Sequence, residues 1–309
     1  MNKFKYSDDN KRYHTFNYYL KNKFNTKVAK VPVDAGFSCP NRDGTKGYGG
    51  CIFCSSSGSG EFTSNETDLS LQFETSKKMI VNKWPDAKFI AYFQAYSNTY
   101  GPLSKIKDMV QPFLFNDDVV AISIATRPDC LDEEKIEYLN SLTNIKEIWI
   151  ELGLQSSNDT TAEYINRCHD FKVLEDCVSM LKSTNLKTCI HIINGLPNET
   201  SIDMINTIKD VNNLNIDAVK IHMLSITKNT KLSLLHKDNP IKLLTLNEYV
   251  EITVNQLRLL KPEIIVQRLT GDPVKEDLIE PSWLPKKTIV LNEIDKYMAK
   301  NNYYQGDLL

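Results

Sequence analysis

From Cys39 to Cys54 the chain reads CPNRDGTKGYGGCIFC, which places three of its seven cysteines among glycines in sixteen residues. Cys51 and Cys54 form a Cys-x-x-Cys pair, and eleven residues separate Cys39 from Cys51. Soft thiolates at such spacing favour zinc or iron–sulfur over hard cations. Structural zinc wants a fourth ligand at a similar short spacing. Here the next cysteine is Cys130, and no histidine follows Cys54 until His169. A [4Fe–4S] cluster held by only three thiolates leaves one iron open to a substrate or cofactor. Three sulfurs therefore point to an open cluster, and structural zinc with a distant fourth ligand is the alternative.

The elements that must position these sulfurs follow from hydrophobic patterning. Short β-branched stretches predict strands at 28–35, 88–94, 119–125, 146–154, 187–193 and 217–224, with helices between them at 69–83, 102–114, 132–143, 172–184 and 200–213. Thr200 and Asp203 have the spacing of a capping box. Strand–helix alternation implies a parallel α/β sheet with right-handed crossovers. Six units are too few for a closed eight-fold barrel and fit a partial (β/α)6 barrel of TIM type. The cysteines fall just after the first strand, at the carboxyl-end rim where such folds place their sites. The partial barrel is expected over 28–227, preceded by an extension over 1–27 and followed by a small α/β appendage over 228–309 that closes the lateral opening.

Successive residues of a strand face opposite sides. Glu151, Gly153 and Gln155 thus share one face, as do Tyr92 with Gln94 and Lys220 with His222. Polar residues on one side of several strands suit a lumen that holds a polar ligand. Cys189 and His191 also face together, though their neighbours leave that strand's parity ambiguous.

Composition bounds the class. The chain has 309 residues, 41% hydrophobic and 25% charged, ordinary for a soluble globular protein. No apolar run approaches the roughly 20 residues of a membrane helix, and the start MNKFKYSDDNKRYH lacks a signal-peptide core, so no membrane association and a cytoplasmic location are expected. Seven cysteines, mostly unpaired by spacing, fit a reducing compartment. Residues 1–48 carry ten Lys and Arg against four Asp and Glu, although the whole chain has a formal charge of −2. The same stretch holds Phe4, Tyr6, Tyr13, Phe16, Tyr18, Tyr19 and Phe24. Cations interleaved with rings suit a nucleic-acid surface; an amphipathic helix packing its rings inward explains them equally.

The segments KVPVDAGFSCPNRDG…GGCIFC, ELGLQSSND, INRCHD and IINGLPNET, with similarity running from RYHTFNYYL to LNEIDKYM, resemble the radical S-adenosylmethionine (SAM) enzymes, and within them the YtqA/YhcC group. That group is related to the catalytic subunit of elongator and to oxygen-independent coproporphyrinogen oxidase. The long first gap departs from the commonest Cys-x3-Cys-x2-Cys spacing and is shared with the elongator branch. Cys168 and Asn198 stand where the resemblance expects glycine.

The resemblance implies that Cys39, Cys51 and Cys54 ligate three irons and that SAM chelates the fourth. One electron then cleaves SAM to methionine and a 5′-deoxyadenosyl radical that abstracts hydrogen from the substrate. It further implies SAM contacts from Phe53 to the adenine, from Gln94, Ala95 and Tyr96 to the amino group, from Glu151 and Gln155 to the ribose, and from Arg167 to the carboxylate. The turn at Gly195 would meet the adenine. Plain alternatives stand beside several of these: loop packing for Phe53, a surface helix position for Arg167, and pairing of Glu151 and Gln155 with Lys220 or Arg127 inside the barrel. His191, Lys220 and His222 are candidates to touch substrate, as are Arg268, Trp283, Lys286 and Lys287 in the appendage; Cys130, Cys168, Cys177 and Cys189 read as small apolar residues.

The implied function is modification of tRNA at the wobble uridine, trimming a 5-carboxymethylaminomethyl group to 5-aminomethyl, with a reductant such as flavodoxin or ferredoxin as partner. Two alternatives stay open: radical chemistry on a small molecule or peptide, and a non-catalytic RNA-binding protein stabilised by zinc.

Overall fold

Runs of β-branched and aromatic residues form the strands, and Thr, Asp and Asn caps start most of the intervening helices. The computed structural model describes residues 4–64 and 66–309. In chain order the elements are α1 (Phe16–Phe24), β1 (Val28–Val33), α2 (Leu69–Val81), β2 (Lys88–Phe93), α3 (Leu103–Leu114), β3 (Val119–Thr126), α4 (Glu133–Ser141) and β4 (Glu147–Gln155). There follow α5 (Asp159–Tyr164), α6 (Phe171–Leu181), β5 (Lys187–Asn194), α7 (Ser201–Asn213) and β6 (Ala218–Met223). The C-terminal part holds β7 (Ile226–Thr227), α8 (Lys231–Asp238), α9 (Leu246–Leu259), β8 (Ile265–Arg268), β9 (Leu278–Glu280) and α10 (Lys287–Lys300). The capping box at the start of α7 is present, with Thr200 and Asp203 bonding reciprocally.

The main sheet runs β1-β2-β3-β4-β5-β6-β8, every pair parallel. It therefore has seven strands, one more than the six-unit expectation, because the C-terminal segment contributes β8 directly to the edge of β6. The sheet curls far enough for Lys30 of β1 to reach Gln267 of β8 across its open side, Nζ to Oε1 at 2.8 Å. It is a half-barrel. Outside, helices cover the sheet through a core in which Phe73, Phe89, Phe93 and Phe113 meet edge-on or tilted.

The lumen is layered. At the start of the strands Val28, Ile90, Ala121, Trp149, Cys189, Ala218 and Ile265 form an apolar floor, closed from below by Leu20 and by the rings of Phe16 and Tyr19. Both rings meet Trp149 edge-on, at 5.4 and 5.8 Å between centroids. Tyr13 is buried, and Tyr6 stacks on His14 at 4.5 Å. Much of the N-terminal aromatic set is thus consumed by inward packing, at the end of the barrel opposite the cysteine loop. The nucleic-acid reading of these rings gives way to the packing one, because plugging a half-barrel removes large ring surfaces from water. Residues 1–3 of that extension lie outside the described residues.

Candidate metal centre and lumen

The loop carrying Cys39, Cys51 and Cys54 leaves β1 at the carboxyl end of the sheet and is stitched to the segment after α5. Asn41, fully buried, donates to the Asn166 carbonyl, and Asn166 Nδ2 donates to the carbonyls of Gly50 (2.8 Å) and Tyr48 (3.2 Å). Ile52 N–H bonds Ile165 O at 3.1 Å, and Leu232 N–H bonds Ile52 O at 2.7 Å. Gly49 and Gly50 take positive φ (77° and 79°), letting the chain turn sharply before Cys51. Cys168 and Asn198, the two residues standing in for glycine, also have positive φ, 58° and 69°. The backbone keeps the glycine-like conformation, and at Cys168 the thiol gains a contact with Asn41 Oδ1 at 2.9 Å.

Guanidinium groups approach the thiols. Arg42 Nη2 lies 3.3 Å from Cys54 Sγ and also donates to the Ser55 carbonyl. Arg167 Nη1 lies 3.8 Å from Cys51 Sγ, and its Nη2 donates to the Gly153 carbonyl at the end of β4. Arg127 holds Asp129 bidentately (2.8 Å each) and donates to the Arg167 carbonyl at 2.9 Å. Burial pushes the Cys54 thiol up and Cys51 adds to this, while Arg42 pulls it down. The balance at Cys54 is upward, so a metal bound there would displace the thiol proton, with Arg42 offsetting part of the burial cost. Among the described residues no three His, Cys, Asp or Glu converge on a single ion. A cubane differs from zinc in spreading its thiolates over separate irons, and one loop with three sulfurs and nearby N–H donors fits that group.

The expected SAM-contacting residues separate into two sets. Arg167 is buried and its Nε has no partner in the protein, so it retains a donor for a ligand at the rim. Gln155, at positive φ (79°) beside the bulge between Gly153 and Gln155, and half-buried Gln94 likewise lack hydrogen-bond partners among the described residues. Gly195 (φ 83°) sits in a tight turn where a Cβ would come within 3.1 Å of Leu244, and its N–H already meets Met204 Sδ at 3.1 Å. The other set is already engaged. Tyr96 donates to the Ser56 carbonyl and packs on Gly58 beneath Arg42. Phe53 packs against the cluster of Ile52, Ile165, Leu196 and Leu232, the loop packing the sequence offered as the alternative.

Glu151 is the clearest change from the sequence reading. It is fully buried, with Lys30 and Ser123 on Oε1 and Lys220 and His191 on Oε2. Four donors fill its accepting capacity, so it pairs with Lys220, as the alternative had it, and leaves nothing for ribose hydroxyls. Burial opposes its ionisation, yet Lys220, Lys30 and His191 hold the carboxyl well below the usual range. Burial and the Lys220 charge push His191 down to about 4, so the neutral ring donates Nε2–H to the carboxylate at 2.9 Å. Lys220 also bonds Tyr92 Oη at 3.1 Å. His222 differs: it makes no hydrogen bond among the described residues and lies 5.7 Å from His191, ring to ring. Sequence reading did not single out Lys30, Ser123, Gln267, Arg42 or Asn41. A lysine within the apolar run VAKVPV was the one visible sign.

Trp283 packs on Tyr249 at 5.7 Å, Lys287 and Arg268 share Asp272, and Arg268 stands in register with Lys220 of β6, its charge acting on Tyr92, Lys220 and His222. No helix among the described residues is long and apolar enough to cross a membrane.

Comparison with known proteins agrees with this geometry. Residues 39–211 match the Radical SAM superfamily and residues 216–300 the Radical_SAM C-terminal domain. YtqA of Bacillus subtilis is 44% identical over 306 residues, covering 99% of this chain and 95% of its own. YhcC of Escherichia coli is 30% identical, covering 94% and 93%. A tRNA uridine(34) acetyltransferase of Methanocaldococcus jannaschii is 25% identical over 185 residues, 59% of this chain and 33% of its own. The structure of Elp3 from Methanocaldococcus infernus, lacking its N-terminus, superposes with a TM-score of 0.68 at 18% identity over 91% of this chain and 64% of that one. The chain belongs to the radical SAM superfamily, whose enzymes use a [4Fe–4S] cluster and S-adenosylmethionine.

Proposed function

We propose that this radical SAM enzyme acts on tRNA, converting a 5-carboxymethylaminomethyl group at the wobble uridine to 5-aminomethyl. The observation that carries the RNA substrate is the partial similarity to a protein named for acting on tRNA uridine 34. The lumen supports a polar target, since its wall carries Lys220, His222, Arg268 and Gln267 above an apolar floor. A wobble base lies in a single-stranded loop and enters such a cavity without duplex melting.

Cys39, Cys51 and Cys54 would hold the cluster, and Arg167, Gln155, Gln94 and Gly195 would meet SAM. When bound, these cofactors supply one-electron chemistry that ends in removal of a hydrogen atom from the substrate. Arg42 and Arg167 place positive charge beside the thiolates. The apolar packing of Ile52, Ile165, Leu196 and Leu232 keeps water from the loop's inner side. The saturated Glu151 network fixes the depth to which a base descends. A low-potential reductant such as flavodoxin or ferredoxin would deliver the electron.

The test is mass spectrometry of tRNA nucleosides from a strain lacking the gene. Accumulation of the carboxymethylaminomethyl nucleoside with loss of aminomethyl derivatives supports the proposal. An unchanged profile overturns it and favours a small-molecule or peptide substrate.

A further inference from the structure

The lumen wall formed by β5, β6 and β8 holds polar groups that neither the cluster loop nor the SAM-facing rim uses. The register between β6 and β8 shifts at Val219/Lys220, pairing Lys220 with Arg268. A bulge re-aims side chains. Gln267 reaches Lys30 inside the lumen, while the adjacent Arg268 acts on Tyr92, Lys220 and His222. Two successive residues therefore serve the same cavity.

Their hydrogen-bonding balance is one-sided. Gln267 Oε1 accepts from the Lys30 ammonium, which can only donate, so the amide orientation is fixed and Nε2 is a donor. That Nε2 has no partner. Arg268 spends one nitrogen on Asp272 at 3.2 Å, and Asp272 is shared with Lys287. The Arg268 side chain remains 34% exposed. His222, half-buried two residues beyond Lys220 on the same face of β6, has no hydrogen-bond partner among the described residues and lies 5.7 Å from the His191 ring. The carboxylate on the floor, Glu151, is fully engaged by Lys30, Ser123, Lys220 and His191. What this wall offers an incoming molecule is a planar cation flanked by donors, with the nearest acceptors already taken.

We infer that Arg268, with His222 and Gln267, binds a carboxylate of the substrate within the lumen. A guanidinium presents two parallel N–H groups to a carboxylate, and the open edge of Arg268 and the free donors beside it match that shape. Taken with the proposed function, on which this identification of the ligand rests, the carboxylate is that of the carboxymethyl group being removed. Holding it there seats the adjacent methylene above the Glu151 network and below the rim. Arg268 is in this account a specificity-determining residue: an uncharged side chain at the same base carbon lacks the group it grips.

The experiment uses the anaerobically reconstituted protein with SAM present and no reductant. Anticodon stem–loops bearing the carboxymethylaminomethyl group, or its methyl ester, at the wobble position are compared by equilibrium binding. The acid binds about tenfold or more tightly than the ester, in line with a charge-assisted pair, and Arg268→Gln removes the difference while Arg268→Lys keeps part of it. A second arm avoids RNA: ligand-observed NMR with N-benzylglycine and its methyl ester. Here the acid gives saturation transfer that the ester lacks, and His222→Asn weakens it. Equal response of wild-type protein to acid and ester in both arms overturns the inference without reference to any variant. If stem–loops fail to bind while the small acid is still preferred over its ester, the tRNA reading fails and the carboxylate site stands.

Discussion

The two ends of the half-barrel are built on opposite rules. At the floor and in the layer just above it groups mostly pair with one another: Trp149 is fully buried beneath the α1 rings, its Nε1 donates to Glu147 at 2.6 Å, and Glu151 accepts from four side chains, with Gln267 Nε2 beside Lys30 as the exception. At the rim groups are left over. Arg167 Nε has no partner, Gln155 and Cys168 hold positive φ, and burial pushes the Glu199 carboxyl up to about 7 although it accepts from Ser156. The floor pairs its groups within the chain, and the rim keeps hydrogen-bonding capacity that the chain does not use. Unsatisfied polar atoms and left-handed backbone persist only where the surroundings hold them in place, and they gather at functional sites.

If that contrast is correct, damage at the rim removes function with the fold intact, and damage at the floor does the reverse. The largest effect is expected for Cys51→Ala: loss of bound iron, of the brown colour and of SAM cleavage, with far-UV circular dichroism retained. An unfolded Cys51→Ala protein would break the contrast, since the loop would then be structural. Just above the floor, Glu151→Gln leaves the buried Lys220 and the half-buried Lys30 facing a neutral amide. Denaturant unfolding should show a loss of about 3–5 kcal/mol, and the cluster should still assemble in whatever fraction folds. A loss below about 1 kcal/mol would mean that the network is dispensable to the scaffold.

Smaller effects sharpen the picture. Because the native Glu199 carboxyl sits near 7 and its ordinary value is 4.5, the folded state holds this proton more tightly than the unfolded state. The stability it contributes is full below about 4.5 and is lost as pH rises through about 7. Glu199→Gln should therefore match wild type near pH 4.5 and exceed it near pH 8 in urea midpoint, and parallel pH profiles would show that the group is not perturbed. The smallest change is Cys168→Gly. It relieves a side chain held at φ 58° and gives up the thiol contact to Asn41, so the net shift should stay within about 1 kcal/mol, with iron content unchanged.

Much of the scaffold was legible in advance. The strands expected at 28–35, 88–94, 119–125, 146–154, 187–193 and 217–224 appear as β1 to β6 within about two residues, because β-branched runs bounded by polar turns leave little choice. The Thr200 capping box is local chemistry and survived intact. Less visible were α5, a six-residue turn of helix set by the Asn158 cap, and the recruitment of the four-residue β8 into the main sheet. Short elements carry too few periodic positions to announce themselves, and pairing of β8 depends on the edge that β6 leaves open.

The division of labour at the site is similar. Residue type and spacing alone brought Cys39, Cys51 and Cys54 forward as one candidate ligand set at the carboxyl end of a parallel sheet, because thiol chemistry and strand polarity are properties of neighbours in sequence. Only the tertiary structure decided which polar residues are spent and which are free. Glu151 and Arg167 look equally available in the sequence, yet one is closed by partners 121, 28, 69 and 40 positions away while the other keeps an open donor. Hydrogen-bond capacity is used up by whatever the fold brings near, and a chain read in one dimension does not reveal how far its strands curl.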